Sequence, residues 1–363
     1  MLSIDDVKKV VNTSQFIKNY AQGRNFPLNF YCYKVFVENL ANGEYNFNYK
    51  INVLIKYEKK EIKESAVFRV NYGSQMNLSE QLEYEYNALL YLKETSITPK
   101  PIFLDRSKNL IDKDFLVMEY LEGKSMNYRT DLQLAAECLA HIHKYSKASE
   151  FDFIEPENPF EAILDECSSM YQKYIDSDLF NPLVNQKICC VFDKVEEILK
   201  EKKKLSENTL RIKKTLINTE VNSSNFIVND DKCFLIDWEK PIIGEKEQDL
   251  GHFLAPTTTF WKTDTVFDKN EIDIFLYDYF LLYNEDLDKN INHREDIEFI
   301  SFKRKVYDYI TFNCLRGLTW CSMAWVEYNK NEKTLINEFT YKKLKDYLNL
   351  DFIDNIIDNF VNN

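Results

Sequence analysis

The feature that most constrains the fold of this chain is a short strand-rich segment within a region of helical pattern. The segment runs from Asn225 to Trp238 and consists of two apolar stretches separated by the polar turn Asn229-Asp230-Asp231. Two such stretches joined by a turn of this composition are typical of a β-hairpin. Residues 132–145 before it and much of 270–363 after it show the apolar spacing of α-helices. The sequence therefore predicts a mainly helical region with a hairpin in its middle.

Three oxygen-bearing side chains flank this hairpin. Glu220 precedes Asn225 by five residues, and Asp237 follows the second strand. Carboxylate and carboxamide oxygens suit Mg²⁺, and phosphoryl transfer needs one carboxylate near the attacking hydroxyl and others that hold the metal. One hairpin could supply all three groups. Taken alone, Glu220 and Asn225 are equally compatible with a solvated acidic turn.

These motifs resemble those of the aminoglycoside phosphotransferase and choline kinase family, which has a protein-kinase-like fold. In that family the catalytic loop usually reads His-x-Asp-x-x-x-x-Asn, and the metal-binding strand ends in Ile-Asp-Trp/Phe-Glu/Asp. The corresponding stretches here are Asn218 to Asn225 and Ile236-Asp237-Trp238-Glu239. The resemblance implies that Glu220 is the catalytic residue and that Asn225 and Asp237 bind the metal.

The catalytic loop departs from the family pattern at two positions, because Asn218 replaces the usual histidine and Glu220 the usual aspartate. The glutamate side chain is longer by one methylene, and a displacement of about 1 Å near the chemistry can cost about a hundredfold in rate. Either the loop is spaced differently or activity is weakened. The alternative function is therefore a nucleotide-binding pseudokinase that regulates a partner protein. A protein kinase is disfavoured, because His-Arg-Asp and Asp-Phe-Gly are both absent.

The first 120 residues predict a small antiparallel sheet and one principal helix. Stretches rich in β-branched or aromatic residues indicate strands at Phe30–Val37, Tyr45–Tyr57, Ala66–Val70, Ile102–Leu104 and Phe115–Tyr120. The helix is predicted over Ser79–Thr95, with Ser79 as its N-cap. The expected fold class is therefore α+β, with a five-stranded sheet followed by helices.

The strand pattern breaks at Leu121-Glu122-Gly123, where we place a lobe boundary. An N-terminal nucleotide-binding lobe (1–120) would precede a C-terminal helical lobe (121–363) that holds the catalytic loop and the acceptor pocket. The length of 363 residues also favours two lobes, since single cores stop growing at roughly 250–300 residues.

Residues of the N-terminal lobe match family positions that contact the phosphates. Gly43 falls between the first two strands, where the family has its nucleotide-covering loop, although an ordinary hairpin turn fits the same residues. Arg69 on the third strand matches the phosphate-contacting cation, and Glu85 on the helix matches its ion-pair partner. Without the resemblance, Arg69 reads as a cation on the surface of an edge strand.

The last predicted strand of this lobe leads into the hinge between the lobes. The resemblance implies that Met118 lies beside the adenine ring and that the backbone from Glu119 to Leu121 faces the adenine edge. A core strand is the plain structural interpretation of the residues before Met118.

Two further residues receive structural roles from the resemblance. The segment Gly244 to Leu250 looks like the family's Gly-Asp-Pro-x-x-Asp-Leu, so Asp249 is expected to support the catalytic loop. The helix Leu134 to His143 resembles the family's Leu-Ala-x-x-Leu-Ala-x-Leu-His. His143 is therefore expected to pack and to form hydrogen bonds rather than to catalyse.

Charge and composition limit the partners. The net charge of -13 disfavours nucleic acid, which requires clustered Lys and Arg, and mildly favours cationic or neutral partners. No stretch approaches the roughly 20 apolar residues that span a bilayer, so no membrane partner is expected. The start of the sequence lacks the apolar run of a secretion signal. The eight cysteines contain no Cys-x-x-Cys pair and read as reduced thiols of a cytoplasmic protein.

The predicted function is an ATP- and Mg²⁺-dependent phosphotransferase that acts on a hydroxyl of a small molecule. The acceptor could be aminoglycoside-, choline- or sugar-like, and the sequence sets neither its identity nor the oligomeric state. Trp320, Trp325 and Glu327 lie on a predicted C-terminal helix, where family members build the acceptor pocket. Core packing is the preferred interpretation of the tryptophans.

Overall fold

The computed structural model describes residues 2–42, 46–74, 76, 78–147, 151–206, 213–230, 232–288, 290–330 and 338–362. The chain forms two compact units, each assembled from separate stretches. The first unit comprises Met1–Lys124, Lys147–Phe153 and Ile227–Pro241, and the second comprises Ser125–Ser146, Ile154–Phe226 and Ile242–Asn363. Asp237 therefore lies in the first unit, whereas Glu220 and Asn225 lie in the second. The contiguous division of the chain after residue 120 stays a prediction.

The first unit contains the predicted antiparallel sheet. Its strands are β1 (Cys32–Asn42), β2 (Asn46–Lys56), β3 (Glu61–Asn71), β4 (Pro101–Asp105) and β5 (Phe115–Glu119). They lie in the order β1-β2-β3-β5-β4, with every neighbouring pair antiparallel. The five-stranded sheet is confirmed within the described residues.

Strand β3 begins earlier than predicted, at Glu61 rather than Ala66. Its residues 66–70 pair with both β2 and β5, whereas 61–65 pair with β2 alone. The early half is therefore open to solvent on one side, and it tolerates charged residues such as Glu61 and Lys63, both of which are exposed. Because of these charged residues, a search for β-branched and aromatic residues does not identify this part of the strand.

The first unit also contains two helices that the sequence analysis did not predict. The helices of this unit are α1 (Ile4–Val11), α2 (Ser14–Gly23) and α3 (Gln81–Leu92). α1 begins with a capping box in which Ser3 and Asp6 each accept the other's backbone N–H, a local signal that is recognisable from sequence. The predicted N-cap of α3 was wrong, because Glu80 occupies that position and forms no capping bond through its side chain.

The N-terminal helices pack against the sheet. Phe16 of α2 lies in a cluster with Phe68 and Phe115, whose rings stack at 4.7 Å between centroids. After α1, the side chain of Asn12 bonds both the N–H and the C=O of Val35 on β1, each at 3.2 Å. Because β1 is an edge strand, this amide satisfies backbone groups that would otherwise be open to pairing with another chain.

The second unit is mainly helical. Its helices are α4 (Leu132–Lys144), α5 (Pro159–Ile175), α6 (Pro182–Ser206), α7 (Lys246–Leu254), α8 (Pro256–Thr263), α9 (Lys269–Tyr283), α10 (Ile297–Asn329), α11 (Glu338–Tyr347) and α12 (Leu350–Ile356). The remaining strands of the chain are β6 (Lys124–Ser125), β7 (Thr215–Ile217), β8 (Phe226–Asn229), β9 (Lys232–Leu235) and β10 (Ile242–Gly244). β7 pairs antiparallel with β10, and β8 neighbours β9, as the hairpin prediction requires.

Helix α10 packs closely on α7 and α8 because glycine lies at each contact. A Cβ atom at Gly251 of α7 would lie 2.4 Å from Cβ of Tyr309, and one at Gly317 of α10 would lie 2.5 Å from Cβ of Thr257. Neither contact leaves room for a side chain. The close packing places the middle of α10 beside the helix that contains Asp249.

The α+β, protein-kinase-like fold class is confirmed by this arrangement of an antiparallel sheet with a mostly helical remainder. In the part of the chain that the structure describes, no helix has both the length and the apolar character needed to cross a membrane.

We predict that Gly251→Ala destabilises the protein. Alanine normally stabilises a helix relative to glycine by about 1 kcal/mol, but overpacking at this contact should lower the free energy of unfolding by about 1–3 kcal/mol. Denaturant titration would measure the change. Ser168→Ala on α5 is the control, since the side chain of Ser168 is exposed and an alanine there meets no close neighbour across a helix contact. A more stable Gly251→Ala variant would contradict the close contact.

Candidate active site

The loop that contains Glu220 begins where β7 ends, and one buried carboxylate holds its start. Asp249 of α7 accepts the backbone N–H of Asn218 at 2.9 Å and that of Thr219 at 2.7 Å. Thr219 has a φ angle of 67°, a left-handed conformation that costs a residue with a side chain about 1–2 kcal/mol. The two hydrogen bonds that Asp249 accepts stabilise this conformation.

The main chain of Glu220 is fixed on both sides. Its N–H donates to Oδ1 of Asn218 at 3.1 Å. Its carbonyl oxygen accepts from Nδ2 of Asn222 at 3.1 Å and from Nδ2 of Asn225 at 2.9 Å. Asn218, which stands where the family usually has histidine, therefore supports the loop through its amide.

The amide of Asn225 is oriented by the same bond. Its Nδ2 donates a hydrogen bond to the carbonyl oxygen of Glu220, so Oδ1 lies on the opposite side of the amide group. Among the described residues Oδ1 accepts no hydrogen bond, and Asn225 is partly exposed. Ser223 begins the preceding 3₁₀ turn, and its N–H donates to the hydroxyl of Tyr128 at 3.1 Å. The amide of Asn225 is therefore oriented by its own donor bond, and its side-chain oxygen has no protein donor in the part of the chain that the structure describes.

Asp249 is in turn held by a buried histidine. Nε2 of His143 lies 3.2 Å from Oδ2 of Asp249, and Nδ1 lies 2.8 Å from the hydroxyl of Tyr279. A carboxylate only accepts hydrogen bonds, so Nε2 is the donor of this pair. His143 is fully buried between these partners, which is the packing and hydrogen-bonding role expected for it.

The charges near Glu220 include residues that the sequence analysis missed. Arg316 of α10 donates to Glu166 of α5 through Nε at 2.8 Å and Nη2 at 3.2 Å. Burial lowers the pKa of Arg316, but the carboxylates of Glu166 and Glu220 raise it by more, so the guanidinium stays charged. Glu166 and Arg316 are 150 positions apart, and no sequence motif connects them.

A second histidine, His252, lies in the same region and is half-buried. Nδ1 of His252 lies 3.2 Å from Oδ1 of Asn313. Burial and then the positive charge of Arg316 lower the pKa of His252 to about 4. His252 is therefore neutral near pH 7, and Arg316 supplies positive charge beside Glu220.

In the first unit, the structure brings Arg69, Glu85 and Asp237 together. Nη1 of Arg69 lies 2.5 Å from Oε1 of Glu85 and 3.0 Å from Oδ1 of Asp237. Nε of the same side chain donates to Oδ1 of Asn48 at 2.8 Å. Arg69 is buried, unlike the exposed strand cation that its sequence position alone suggested.

The Arg69 cluster retains unused hydrogen-bonding capacity. Burial lowers the pKa of Arg69, but the charges of Glu85 and Asp237 outweigh this and raise it, so the guanidinium stays protonated. Its Nη2 makes no hydrogen bond among the described residues. Oε2 of Glu85, which is 1% exposed, is also without a partner there. Nη2 is thus a donor that can bind a further acceptor such as a phosphate.

Asp237 has a left-handed backbone and precedes a buried tryptophan. Its φ angle of 63° is left-handed, which aspartate tolerates better than most residues. Trp238 is fully buried, and its indole N–H donates to the carbonyl of Leu235 at 3.0 Å. The side chain of Asp237 is partly exposed.

The predicted adenine-contacting residues lie at the end of β5. Met118 is buried, and Glu119 donates its N–H to the carbonyl of Lys100 at 2.8 Å. This N–H is therefore not available to an adenine edge, whereas Leu121 lies beyond the strand. Gly43 lies outside the described residues.

The residues considered for acceptor binding mostly contact other protein groups. Trp320 packs edge-on against Trp261 at 5.4 Å, and Trp325 stacks on Tyr341 at 5.2 Å between ring centroids. Glu327 pairs with Lys173 at 3.2 Å. Their packing agrees with the preferred interpretation of the tryptophans.

The predicted metal ligands are one amide and one carboxylate, Asn225 in the second unit and Asp237 in the first. Among the described residues, no group of three or more His, Cys, Asp or Glu side chains is arranged to hold a metal ion. The roles of Glu220, Asn225 and Asp237 stay predictions.

Solved structures with the same fold include two kinases of small amino alcohols. Ethanolamine kinase from Plasmodium vivax has a TM-score of 0.57 and 14% identity, with 88% of this chain and 83% of that chain covered. Choline kinase from Cryptosporidium parvum has a TM-score of 0.57 and 11% identity, with 89% and 90% covered. Amicoumacin kinase in complex with AMP-PNP, Ca²⁺ and its substrate has a TM-score of 0.56 and 15% identity, with 97% and 96% covered. Identities this low show the fold alone.

A comparison with curated protein sequences found no match. The sequence model of the phosphotransferase enzyme family (APH), in contrast, matches residues 52–286, which is well over half of the chain. The predicted resemblance and the predicted enzyme class are both confirmed by this match. The chain belongs to the phosphotransferase enzyme family.

Proposed function

We propose that this protein transfers the terminal phosphoryl group of ATP to a hydroxyl of a small molecule, with Mg²⁺ as the metal. The observation that supports this most directly is the loop around Glu220, whose main chain is fixed by three asparagines and whose start is held by Asp249. Phosphoryl transfer depends mainly on positioning and electrostatics. A catalytic carboxylate on a fixed backbone meets that requirement.

The residues present fit a hard divalent cation. Oδ1 of Asn225 lies opposite Nδ2, the amide atom that donates to the carbonyl of Glu220. Asp237 offers a partly exposed carboxylate. Oxygen donors of these two kinds are the ligands that Mg²⁺ prefers. When bound, Mg²⁺ neutralises charge on the phosphates during transfer.

Arg69 is suited to steady the phosphates. Three acceptors fix its guanidinium, and Nη2 remains for a phosphate oxygen. The ion pair with Glu85 stabilises the positive charge of the buried Arg69 guanidinium. The backbone around Leu121 and the side chain of Met118 would contact the adenine, as the family resemblance implies.

Glu220 takes the role of catalytic base. Its carboxylate orients the acceptor hydroxyl and accepts its proton, while the bonds to its N–H and C=O set where the longer side chain begins. The carboxylates of Glu166 and Glu220 together raise the pKa of the nearby Arg316, so a positively charged guanidinium acts on Glu220.

The acceptor is aminoglycoside-, choline- or sugar-like. The fold relatives that act on ethanolamine, choline and amicoumacin support a small molecule, and the net charge of -13 favours a cationic or neutral one over a nucleic acid. All eight cysteines are free thiols, which supports a cytoplasmic location.

The second candidate function is a nucleotide-binding pseudokinase. The observation that favours it is the double departure at Asn218 and Glu220. Such a protein would bind ATP through Arg69 and Asp237 without turnover. The two functions differ in turnover, because only a kinase has a phosphotransfer activity that a Glu220 variant would lose.

We predict that Glu220→Gln abolishes phosphotransfer and leaves ATP binding nearly unchanged. The amide cannot accept the hydroxyl proton, and loss of a general base typically costs about 10²–10⁴ in rate. ADP release would be measured with Mg²⁺ against a panel of amino alcohols, sugars and aminoglycosides. Calorimetry with AMP-PNP would measure binding separately.

Asp230→Asn is the matched control for Glu220→Gln. It also removes one carboxylate close to the hairpin, but Asp230 is exposed at the end of β8. Its turnover should stay within about twofold of the wild type, as expected for a surface substitution. Equal turnover by wild type and Glu220→Gln would exclude Glu220 as the base. ATP binding with no turnover on any acceptor would favour the pseudokinase.

We predict that Asp237→Asn removes Mg²⁺-dependent ATP binding. Asparagine tolerates the left-handed backbone at this position, so the variant removes the charge without adding strain, unlike Asp237→Ala. Titration of AMP-PNP with and without Mg²⁺ should show that the metal no longer improves affinity. Mg²⁺-dependent affinity equal to that of the wild type would show that the metal binds elsewhere.

A further inference from the structure

The short turn at the end of the Glu220 loop is shaped by hydrogen bonds that stay within the loop. Oδ1 of Asn222 accepts the N–H of Ser224 at 3.0 Å, and the carbonyl of Asn222 accepts the N–H of Asn225 at 2.9 Å. The amides of Asn222 and Asn225 both donate to the carbonyl of Glu220. These bonds give residues 222–225 their shape, but they connect them to no other element.

A single hydrogen bond connects residues 222–225 to another element in the part of the chain that the structure describes. The N–H of Ser223 donates at 3.1 Å to the hydroxyl of Tyr128, which lies in the turn before α4. Ser223 is 3% exposed and Tyr128 is 1% exposed, so the N–H is shielded from water. A buried N–H without a partner costs free energy. The hydroxyl of Tyr128 therefore helps to determine where the turn lies.

The ring of Tyr128 is held by an aromatic cluster on α7 and its neighbours. It packs against Phe253 of α7 at 5.4 Å and against Phe267 at 5.6 Å between ring centroids. Phe253 also packs against Phe226, the residue that follows the turn, at 5.5 Å. All four rings are buried. Because buried side chains are closely packed, the hydroxyl of Tyr128 keeps its place relative to α7.

Helix α7 thereby supports both ends of the loop. Asp249 accepts two backbone N–H groups at the start of the loop. Phe253 lies four residues later, on the same face of the helix, and supports the end of the loop through Tyr128. The proposed base, Glu220, and the proposed metal ligand, Asn225, both lie in the stretch that these two supports hold. The spacing between base and metal ligand therefore depends on both supports.

We propose that Tyr128 is a positioning residue for metal binding, because its hydroxyl connects the turn that ends in Asn225 to the helix that holds the start of the same loop. This inference rests on the proposed function, in which Asn225 binds Mg²⁺. Tyr128 acts through the backbone of Ser223 and not through a contact with the metal or the reacting atoms.

The first test uses Tyr128→Phe, which removes the hydroxyl and keeps the ring. Calorimetry would measure the Mg²⁺ effect, defined as the ratio of the AMP-PNP affinities with and without saturating Mg²⁺. We expect Tyr128→Phe to reduce the Mg²⁺ effect by about fivefold or more, in the range of a lost buried hydrogen bond. The affinity for AMP-PNP without metal should stay within about threefold of the wild type, because the loss concerns a metal ligand.

A second measurement requires neither nucleotide nor metal. Amide hydrogen exchange of residues 222–226 should be faster in Tyr128→Phe than in the wild type, because the turn loses the hydrogen bond that connects it to another element. Faster local exchange together with a reduced Mg²⁺ effect would support the positioning role.

Tyr174→Phe is the matched control. Tyr174 of α5 is also 1% exposed, and its hydroxyl also accepts a backbone N–H at 3.1 Å, that of Asn181. This bond lies outside the Glu220 loop. Tyr174→Phe should therefore keep the Mg²⁺ effect within about twofold of the wild type and leave the exchange of residues 222–226 unchanged, even where it lowers the free energy of unfolding.

Three results would overturn the inference: a wild-type Mg²⁺ effect in Tyr128→Phe, an equal loss of affinity with and without Mg²⁺, or unchanged exchange of residues 222–226. If Tyr128→Phe does not fold, Phe253→Leu is measured in the same way, since it removes the ring that holds Tyr128, and the same three results apply. A wild type whose affinity for AMP-PNP is not improved by Mg²⁺ would instead overturn the proposed function, and the inference with it.

Discussion

The shape of the loop that contains Glu220 depends on the buried carboxylate of Asp249. It accepts two successive backbone N–H groups, those of Asn218 and Thr219, and a third bond from His143. Without it, two N–H groups in a buried turn would lack partners, and the left-handed conformation of Thr219 would lose its support. Glu220, the proposed base, is therefore positioned by a residue on another element, α7, which close packing at Gly251 holds against α10. The conformation of the loop that contains Glu220 therefore depends on the packing of α7 against α10.

In each of the two units, asparagine side chains fix residues to which the proposed function assigns a role. An amide donates and accepts at once without adding net charge, so it can fix a charged neighbour without the cost of burying another ion. Asn48 orients Arg69 in this way. In the second unit, Asn222 and Asn225 bind the carbonyl of Glu220. Arg69 and the carboxylates of Glu85 and Asp237 then compensate each other, which offsets part of the cost of burying Arg69 and Glu85.

Much of the fold was predictable because its signals are local. Apolar periodicity identified the sheet and the hairpin, and the resemblance to the family's motifs selected Glu220, Asn225 and Asp237 and paired Arg69 with Glu85. The helices α1 and α2 were missed although the capping box at Ser3 marks one of them. The pairs Arg316–Glu166 and Tyr128–Ser223 were not predictable, since their members are 150 and 95 positions apart and only tertiary packing brings them together. The early part of β3 was missed for a local reason. Its residues pair with β2 alone, and their charged side chains do not show the apolar composition by which the other strands were recognised.

The central claim is that Glu220 acts as the base of a metal-dependent phosphotransfer. The most direct measurement is a crystal structure of the wild-type protein with AMP-PNP and Mg²⁺. The account predicts that the metal contacts Oδ1 of Asn225 and the carboxylate of Asp237, that Nη2 of Arg69 binds a phosphate oxygen, and that the carboxylate of Glu220 faces the γ-phosphate. A Glu220 side chain turned into solvent, far from the metal and the γ-phosphate, would contradict the account and favour a pseudokinase.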